Sequence, residues 1–256
     1  MGTNLVGVAR LLVVVPHETD PPARLGDWLR EAGCELDERH QGLGEPLPET
    51  LDGYDGMVVL GGPQSALDDE ATSPELVPVR ELLRQALAAD FPTLAICLGA
   101  QLLAEATGGR VAKGEQGVEA GARLVAKRDA AWEDELFRDV PLTPTVVQWH
   151  EDAIVDLPPG AVNLASSPRY AHQAFRLGDR AWGLQFHIET PPEMVRHWGA
   201  EYGRAVEEAG LDPVALAESV VEELPEVEAC WRPAVERFAA LAAGRGRVTL
   251  PLVESE

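Results

Sequence analysis

Pro92-Thr93-Leu94-Ala95-Ile96-Cys97-Leu98-Gly99-Ala100-Gln101-Leu102-Leu103 sets a short apolar run directly against a run with helical spacing. Thr93 to Ile96 reads as a buried strand, and Leu98 to Ala106 as the helix that follows it, stopped at Gly108-Gly109. The two meet at Cys97 with no loop between them. Ala95 and Gly99 stand two residues either side, so the turn is small-flanked, as a nucleophile elbow requires. The start of the helix also favours a thiolate at Cys97. A buried cysteine that only fills space at a strand end is the plain alternative.

The same alternation extends towards the N-terminus. Leu11 to Val15 is a β-branched apolar run punctuated by Pro16 and reads as a buried strand. Arg24 to Ala32 has helical spacing and stops at Gly33. Cys34 to Glu38 reads as a second strand, and Met57 to Leu60 as a third that ends in Gly61-Gly62-Pro63. Ser73 is placed as an N-cap with Pro74 at the first helical position, ahead of an apolar face at Leu76, Val79, Leu83 and Leu87. Strand and helix in alternation predict an α/β fold, a doubly wound and mainly parallel sheet with helices on both faces.

From Arg110 to Glu189 the pattern changes. Short apolar runs separated by turns (122–126, 145–149, 161–165, 171–175 and 182–186) predict a strand-rich part, with one short helix near Trp132 to Phe137. After Glu189 the pattern is helical. Thr190, Pro191 and Glu193 read as a capping box, Asp212-Pro213 opens another helix, and Pro225 separates it from a third, Val227 to Ala243. The tail from Gly244 is expected to fray.

Composition narrows the function. Of 256 residues, 45% are hydrophobic and 25% charged, an ordinary globular balance. Against 21 Lys and Arg there are 43 Asp and Glu, a formal charge of -22 that repels nucleic-acid backbones and anionic membrane surfaces. The three cysteines, Cys34, Cys97 and Cys230, make no disulfide framework and no Cys-x-x-Cys pair, which fits a reducing cytoplasm. Leu11 to Val15 is too short to span a bilayer, and no signal peptide is read at the start. No metal site and no cofactor motif is expected.

A cysteine nucleophile needs a base, and the base needs a group to orient it. His187 follows the strand 182–186, with Glu189 two residues on and so on the same side of an extended segment. His150 is the rival, since it also follows a strand and has Asp152 nearby. His17 is weaker, and His40, His172 and His197 have no comparable setting.

The quoted stretch resembles the nucleophile signature of the class I (triad) glutamine amidotransferases. Gly183-Leu184-Gln185-Phe186-His187-Ile188-Glu189 is similar to their second signature, Leu60-Gly61-Gly62-Pro63-Gln64-Ser65 to their oxyanion loop, and Trp149-His150-Glu151-Asp152 to a block that lines the glutamine pocket. Two departures are visible: Ala95 stands where the family often has glycine, and Ile188 where many members have proline. The closest subgroup is the stand-alone proteins that resemble the amidotransferase domain of GMP synthase. The resemblance implies a flavodoxin-like core over residues 1–205, with 206–256 as a C-terminal helical extension. It implies Cys97, His187 and Glu189 as catalytic residues, the N–H groups of Gly62 and Leu98 as oxyanion hole, and Gln101 and His150 as substrate contacts. The expected reaction is hydrolysis of the glutamine side-chain amide, releasing ammonia for an unidentified acceptor or a separate synthase partner, or from an enzyme that stands alone. A γ-glutamyl hydrolase or γ-glutamyl-amine hydrolase would use the same residues. A non-catalytic regulatory subunit is a third reading, which the intact Cys/His/Glu set disfavours.

Overall fold

A computed structural model describes residues 8–244. Its centre is an eight-stranded sheet in the order β2-β1-β3-β4-β12-β11-β10-β7. The strands are β1 (Ala9–Val15), β2 (Cys34–His40), β3 (Gly56–Val59), β4 (Thr93–Ile96), β7 (Ala126–Lys127), β10 (Val162–Ser166), β11 (Ala174–Leu177) and β12 (Ala181–Leu184). From β2 to β12 the neighbours are parallel; β12, β11, β10 and β7 pair antiparallel. Two small antiparallel pairs lie outside this sheet: β5 (Arg110–Lys113) with β9 (Asp152–Asp156), and β6 (Glu119–Leu124) with β8 (Thr145–His150).

The continuous apolar run of the first strand is explained by burial on both faces. Leu11, Val13 and Val15 enter one core, and Leu12 and Val14 the other. Trp28 and Leu29 of α1 (Ala23–Glu31) and Trp231 and Phe238 of α6 (Pro213–Ala242) fill the first core. Leu76, Val79 and Leu83 of α2 (Leu76–Ala88) and Leu102 and Leu103 of α3 (Leu98–Ala106) fill the second. The mainly parallel sheet covered on both faces is thus present, and β4 and α3 have the expected limits. Strand β2, at the sheet edge, carries the charges of Glu35, Asp37, Glu38 and Arg39 that an edge tolerates.

Several local expectations give way. The C-terminal helix is not broken at Pro225: α6 runs through both Pro225 and Pro233. Its inward face, from Val220 through Leu224, Val227 and Trp231 to Phe238, packs on α1, α4 (Pro192–Glu201), β6 and β8. Burying that face outweighs the roughly 3 kcal/mol that an interior proline costs. The helix therefore belongs to the same body as the sheet, and the 205/206 boundary falls inside α5 (Arg204–Glu208). Residues 245–256, where fraying was expected, lie outside the described residues.

The caps differ as well. Ser73 donates to Asp68 Oδ2 at 2.8 Å rather than capping α2, which begins three residues later at Leu76. Thr190 makes no capping bond to α4, whose N-cap position is taken by Pro191. The cap of α6 is as expected, with Asp212 Oδ1 accepting from Val214 and Ala215 at 2.9 and 3.1 Å. The helix near 132–137 is instead a single 3-10 turn, Asp129–Trp132. Asp134 Oδ1 takes the N–H groups of Leu136 and Phe137 and holds that stretch as a turn. Strands β5 and β9 were not foreseen; both are short, polar and irregular in register.

One close approach positions the elbow. A Cβ on Gly99 would fall inside contact distance of the Val59 carbonyl oxygen, so α3 lies directly on the end of β3. Backbone cannot step aside as a side chain can. Gly99→Ala should destabilise the protein by about 1–3 kcal/mol, or roughly 2–10 °C in melting temperature for a domain of this size. Thermal denaturation of the variant beside the parent protein measures it, and an unchanged midpoint would contradict the contact.

Candidate active site

The parallel strands deliver their carboxyl ends to one place, where open α/β sheets bind ligands. β1 leads to Asp20, β3 to Gly61 and Gly62, β4 to Cys97, and β12 to His187 and Glu189. A cavity of about 470 Å³ opens there.

Cys97 is the residue before α3 and has φ +49° and ψ -107°, a conformation L-residues avoid. The strain is held by packing and hydrogen bonds. The Cys97 N–H donates to the Leu184 carbonyl at 2.7 Å, and its carbonyl accepts from Gln101 N at 3.0 Å. The thiol side chain, in a residue 7% exposed, lines the cavity.

His187 is 2% exposed and Glu189 is fully buried. The His187 Nδ1 lies 2.6 Å from Glu189 Oε1, which leaves Nε2 for the thiol. The ring and the Cys97 thiol line the same cavity. Glu189 Oε2 accepts from the Ile188 N–H at 2.8 Å, so both carboxylate oxygens are engaged. The backbone of His187 is bonded both ways to Val147 of β8, and its ring rests on Trp198 with centroids 4.5 Å apart. Burial alone would lower the imidazole pKa. The interactions with Glu189 and with Cys97 outweigh it and carry the value well above the ordinary histidine range. A charged imidazolium is the form of His187 that this environment favours.

Gly62 and Leu98 line the cavity together with Cys97. A Cβ on Gly62 would meet Gln64 Oε1 and stand 3.2 Å from Leu98 Cδ2, so the backbone here comes close to both side chains. The Leu98 N–H opens α3 and has no acceptor within its own helix. Gln101 borders the cavity, with its amide nitrogen donating to the Asp152 carbonyl at 3.1 Å and to Gln185 Oε1 at 3.3 Å.

His150 also borders the cavity but is turned away from the thiol. Its Nδ1 is 2.8 Å from the Asp152 carbonyl oxygen, and its Nε2 is 3.4 Å from Glu119 Oε2. The carboxylate beside it is therefore Glu119, directly opposite on the paired strand β6, and not Asp152, whose carboxylate accepts from Ser65 Oγ at 2.6 Å. His17 pairs with Thr19 Oγ1 at 2.8 Å in the loop after β1. His40 pairs with Glu38, and His197 packs on Tyr202, both clear of Cys97.

Three residues at the site were not anticipated. Gln185 Nε2 lies 3.9 Å from Cys97 Sγ. Trp198 is both a cavity wall and the surface beneath the His187 ring. Asp20, 5% exposed, lies in the cavity wall beside Gly61 and His187. Gln185 sits inside a quoted signature and was open to reading; Asp20 follows a strand in an irregular loop, and no periodicity marks it.

Comparison with known proteins agrees with this geometry. The sequence model of the family "Glutamine amidotransferase class-I" matches residues 27–197. A GMP synthase [glutamine-hydrolyzing] of Christiangramia forsetii is 31% identical over 158 residues, 61% of this chain and 28% of that protein. Gamma-glutamyl peptidase 3 of Arabidopsis thaliana is 28% identical over 156 residues, 59% of this chain and 60% of that one. The chain thus spans less than a third of the GMP synthase it matches. The crystal structure of a glutamine amidotransferase from Thermotoga maritima superposes with a TM-score of 0.80 at 32% identity, covering 91% of this chain and 99% of that one. The chain belongs to the class I glutamine amidotransferase family.

Proposed function

We propose that this chain hydrolyses the side-chain amide of glutamine through a thioester on Cys97 and releases ammonia. The observation that carries the reading is the strained Cys97 turn, set at the start of α3 and facing an imidazole whose other nitrogen is 2.6 Å from a buried glutamate. A thiolate attacks the amide carbon. The negative oxygen of the tetrahedral intermediate is received by the N–H groups of Leu98 and Gly62. His187 gives its proton to the departing nitrogen, ammonia leaves, and the γ-glutamyl group stays on sulfur. Water then attacks the thioester, His187 takes the water's proton, and glutamate leaves as the thiolate returns. Glu189 holds the ring and offsets its charge in each step.

GMP synthases among the relatives support delivery of the ammonia to a separate synthase. The stretch from Thr190 to Ala242 carries no nucleotide motif and folds as helices, so these residues supply no synthase chemistry of their own. No helix among the described residues is long and apolar enough to cross a membrane. A reducing cytoplasm suits the thiol chemistry proposed for Cys97.

A second reading keeps the chemistry and enlarges the substrate. The cavity runs from Cys97 past Trp149 and Tyr202 to Arg204, so a group on the amide nitrogen has room. The gamma-glutamyl peptidase among the relatives favours it. Steady-state assays with glutamine, γ-glutamyl peptides and γ-glutamyl amines, each with and without cell lysate, discriminate the two. Turnover of glutamine alone, raised by lysate, supports the first; a preference for substituted amides supports the second.

The catalytic assignment is tested by substitution. Cys97→Ala should lose all measurable amide hydrolysis, while Cys34→Ala and Cys230→Ala keep it; full activity in folded Cys97→Ala would end the thioester mechanism. His187→Asn should lower kcat by at least about 10²-fold, because one group both activates the thiol and protonates the leaving amine. His150→Asn should act mainly on KM. Equal or reversed effects in a kcat and KM comparison would exchange their roles. The purified chain with glutamine should yield glutamate and free ammonia, and ATP with magnesium should change nothing. Nucleotide cleavage coupled to ammonia transfer, with no second protein added, would overturn the assignment of synthase chemistry elsewhere.

A further inference from the structure

The loop between β1 and α1 inserts a carboxyl group that the mechanism above does not use. Asp20 Oδ2 accepts from Thr19 Oγ1 at 2.6 Å, and the Asp20 N–H donates to the His17 carbonyl at 3.1 Å, so the side chain is fixed from its own loop. Its other oxygen points at the site. The position a Cβ would take on Gly61 is 3.0 Å from Asp20 Oδ1 and 3.1 Å from His187 Cε1, which bounds the separation of the two at the sum of those lengths. Glu189 occupies the Nδ1 side of the ring. One imidazole is therefore flanked by two buried carboxyl groups, on adjacent edges. The loop is anchored to the same structure, since the Arg24 N–H donates to the Glu189 carbonyl at 3.2 Å.

We propose that Asp20 is a positioning residue of this site, a second carboxyl group on the Cε1 edge of His187 that holds the proton on the ring while the Cys97 thiolate acts. The inference rests on the thiol–imidazole reading above. The titratable groups that face Asp20 are His17 from its own loop and His187 and Glu189 from the segment after β12; Gly61, from the loop after β3, brings no charge. Burial raises the pKa of the Asp20 carboxyl, His187 and the Thr19 hydroxyl pull it back, and the net direction is upward. With His187 charged, an ionised Asp20 is balanced. Once the ring has passed its proton to the leaving amine, Asp20 and Glu189 face each other across a neutral imidazole. Two buried like charges favour uptake of the next proton, which in thioester hydrolysis comes from the attacking water.

The sign follows from the charge. An ionised Asp20 favours imidazolium, so its removal should let His187 lose its proton at lower pH. A unit charge about 6 Å away, at an effective dielectric of about 20, moves a pKa by up to about two units. In ¹H–¹³C spectra of histidine-labelled protein, the Cε1–H resonance absent from His187→Asn reports the ring. In Asp20→Asn its titration midpoint should fall by about one unit, and the alkaline limb of kcat/KM should move down with it. Asp20→Glu should recover part of both shifts. Thr19→Val, which keeps the carboxyl but removes its donor, should give a smaller shift of the same sign, and it decides the question if Asp20→Asn does not fold. A midpoint unchanged in these variants overturns the proposal. The resonance needs no substrate, so a chain that cleaves no γ-glutamyl amide at all would end the catalytic reading while the titration still answers for Asp20.

Discussion

Parallel pairing of β4 with β12 is the constraint on which the site depends. Ala95 stands opposite Gly183, and Ile96 opposite Leu184. This register brings the end of one strand, where Cys97 turns into α3, beside the end of the other, where the chain runs on to His187. The bond from the Cys97 N–H to the Leu184 carbonyl continues the pairing by one more residue into the strained turn. Glycine at 183 is part of the same arrangement, because a Cβ there would strike the Phe175 ring on the neighbouring strand. A slip by one residue would reverse the faces of β12 and remove the base from the thiol.

The central sheet and the gathering of Cys97, His187 and Glu189 at its carboxyl edge were legible in the sequence because both leave short-range signals. Strands buried on both faces are unbroken apolar runs, as at Leu11 to Val15. Cys97 lies between a strand and a helix with small neighbours, and His187 and Glu189 are two apart on an extended segment. What was illegible depends on partners distant in the chain. The orientation of His150 is set by Glu119, from the strand paired with its own, and by the Asp152 carbonyl. Nothing within a few residues of 150 announces that. Asp20 is defined by Gly61 and His187, and Trp198 by the ring it supports.

The errors at helix ends share a cause. Local rules for caps and prolines describe a helix exposed to solvent, where each cap bond is a sizeable fraction of what holds the helix. A long inward face changes the balance, as it does in α6 across Pro225 and Pro233. Competition for the side chain changes it too, as at Ser73, whose hydroxyl is taken by Asp68. Where no competitor stands near, as at Asp212, the rule gives the correct cap.

The bond pair between His187 and Val147 has a consequence for biosynthesis. It is the isolated bridge by which β8, a strand outside the main sheet, grips the base. Nucleophile, clamp and base enter the chain in that order, at residues 97, 147 and 187. A ribosome-bound chain that has reached only the clamp has its thiol and the cavity wall on β8, but no imidazole to charge the sulfur. Assembly of the site is therefore among the late events of synthesis, and a product truncated before residue 187 keeps Cys97 without the His187 ring beside it.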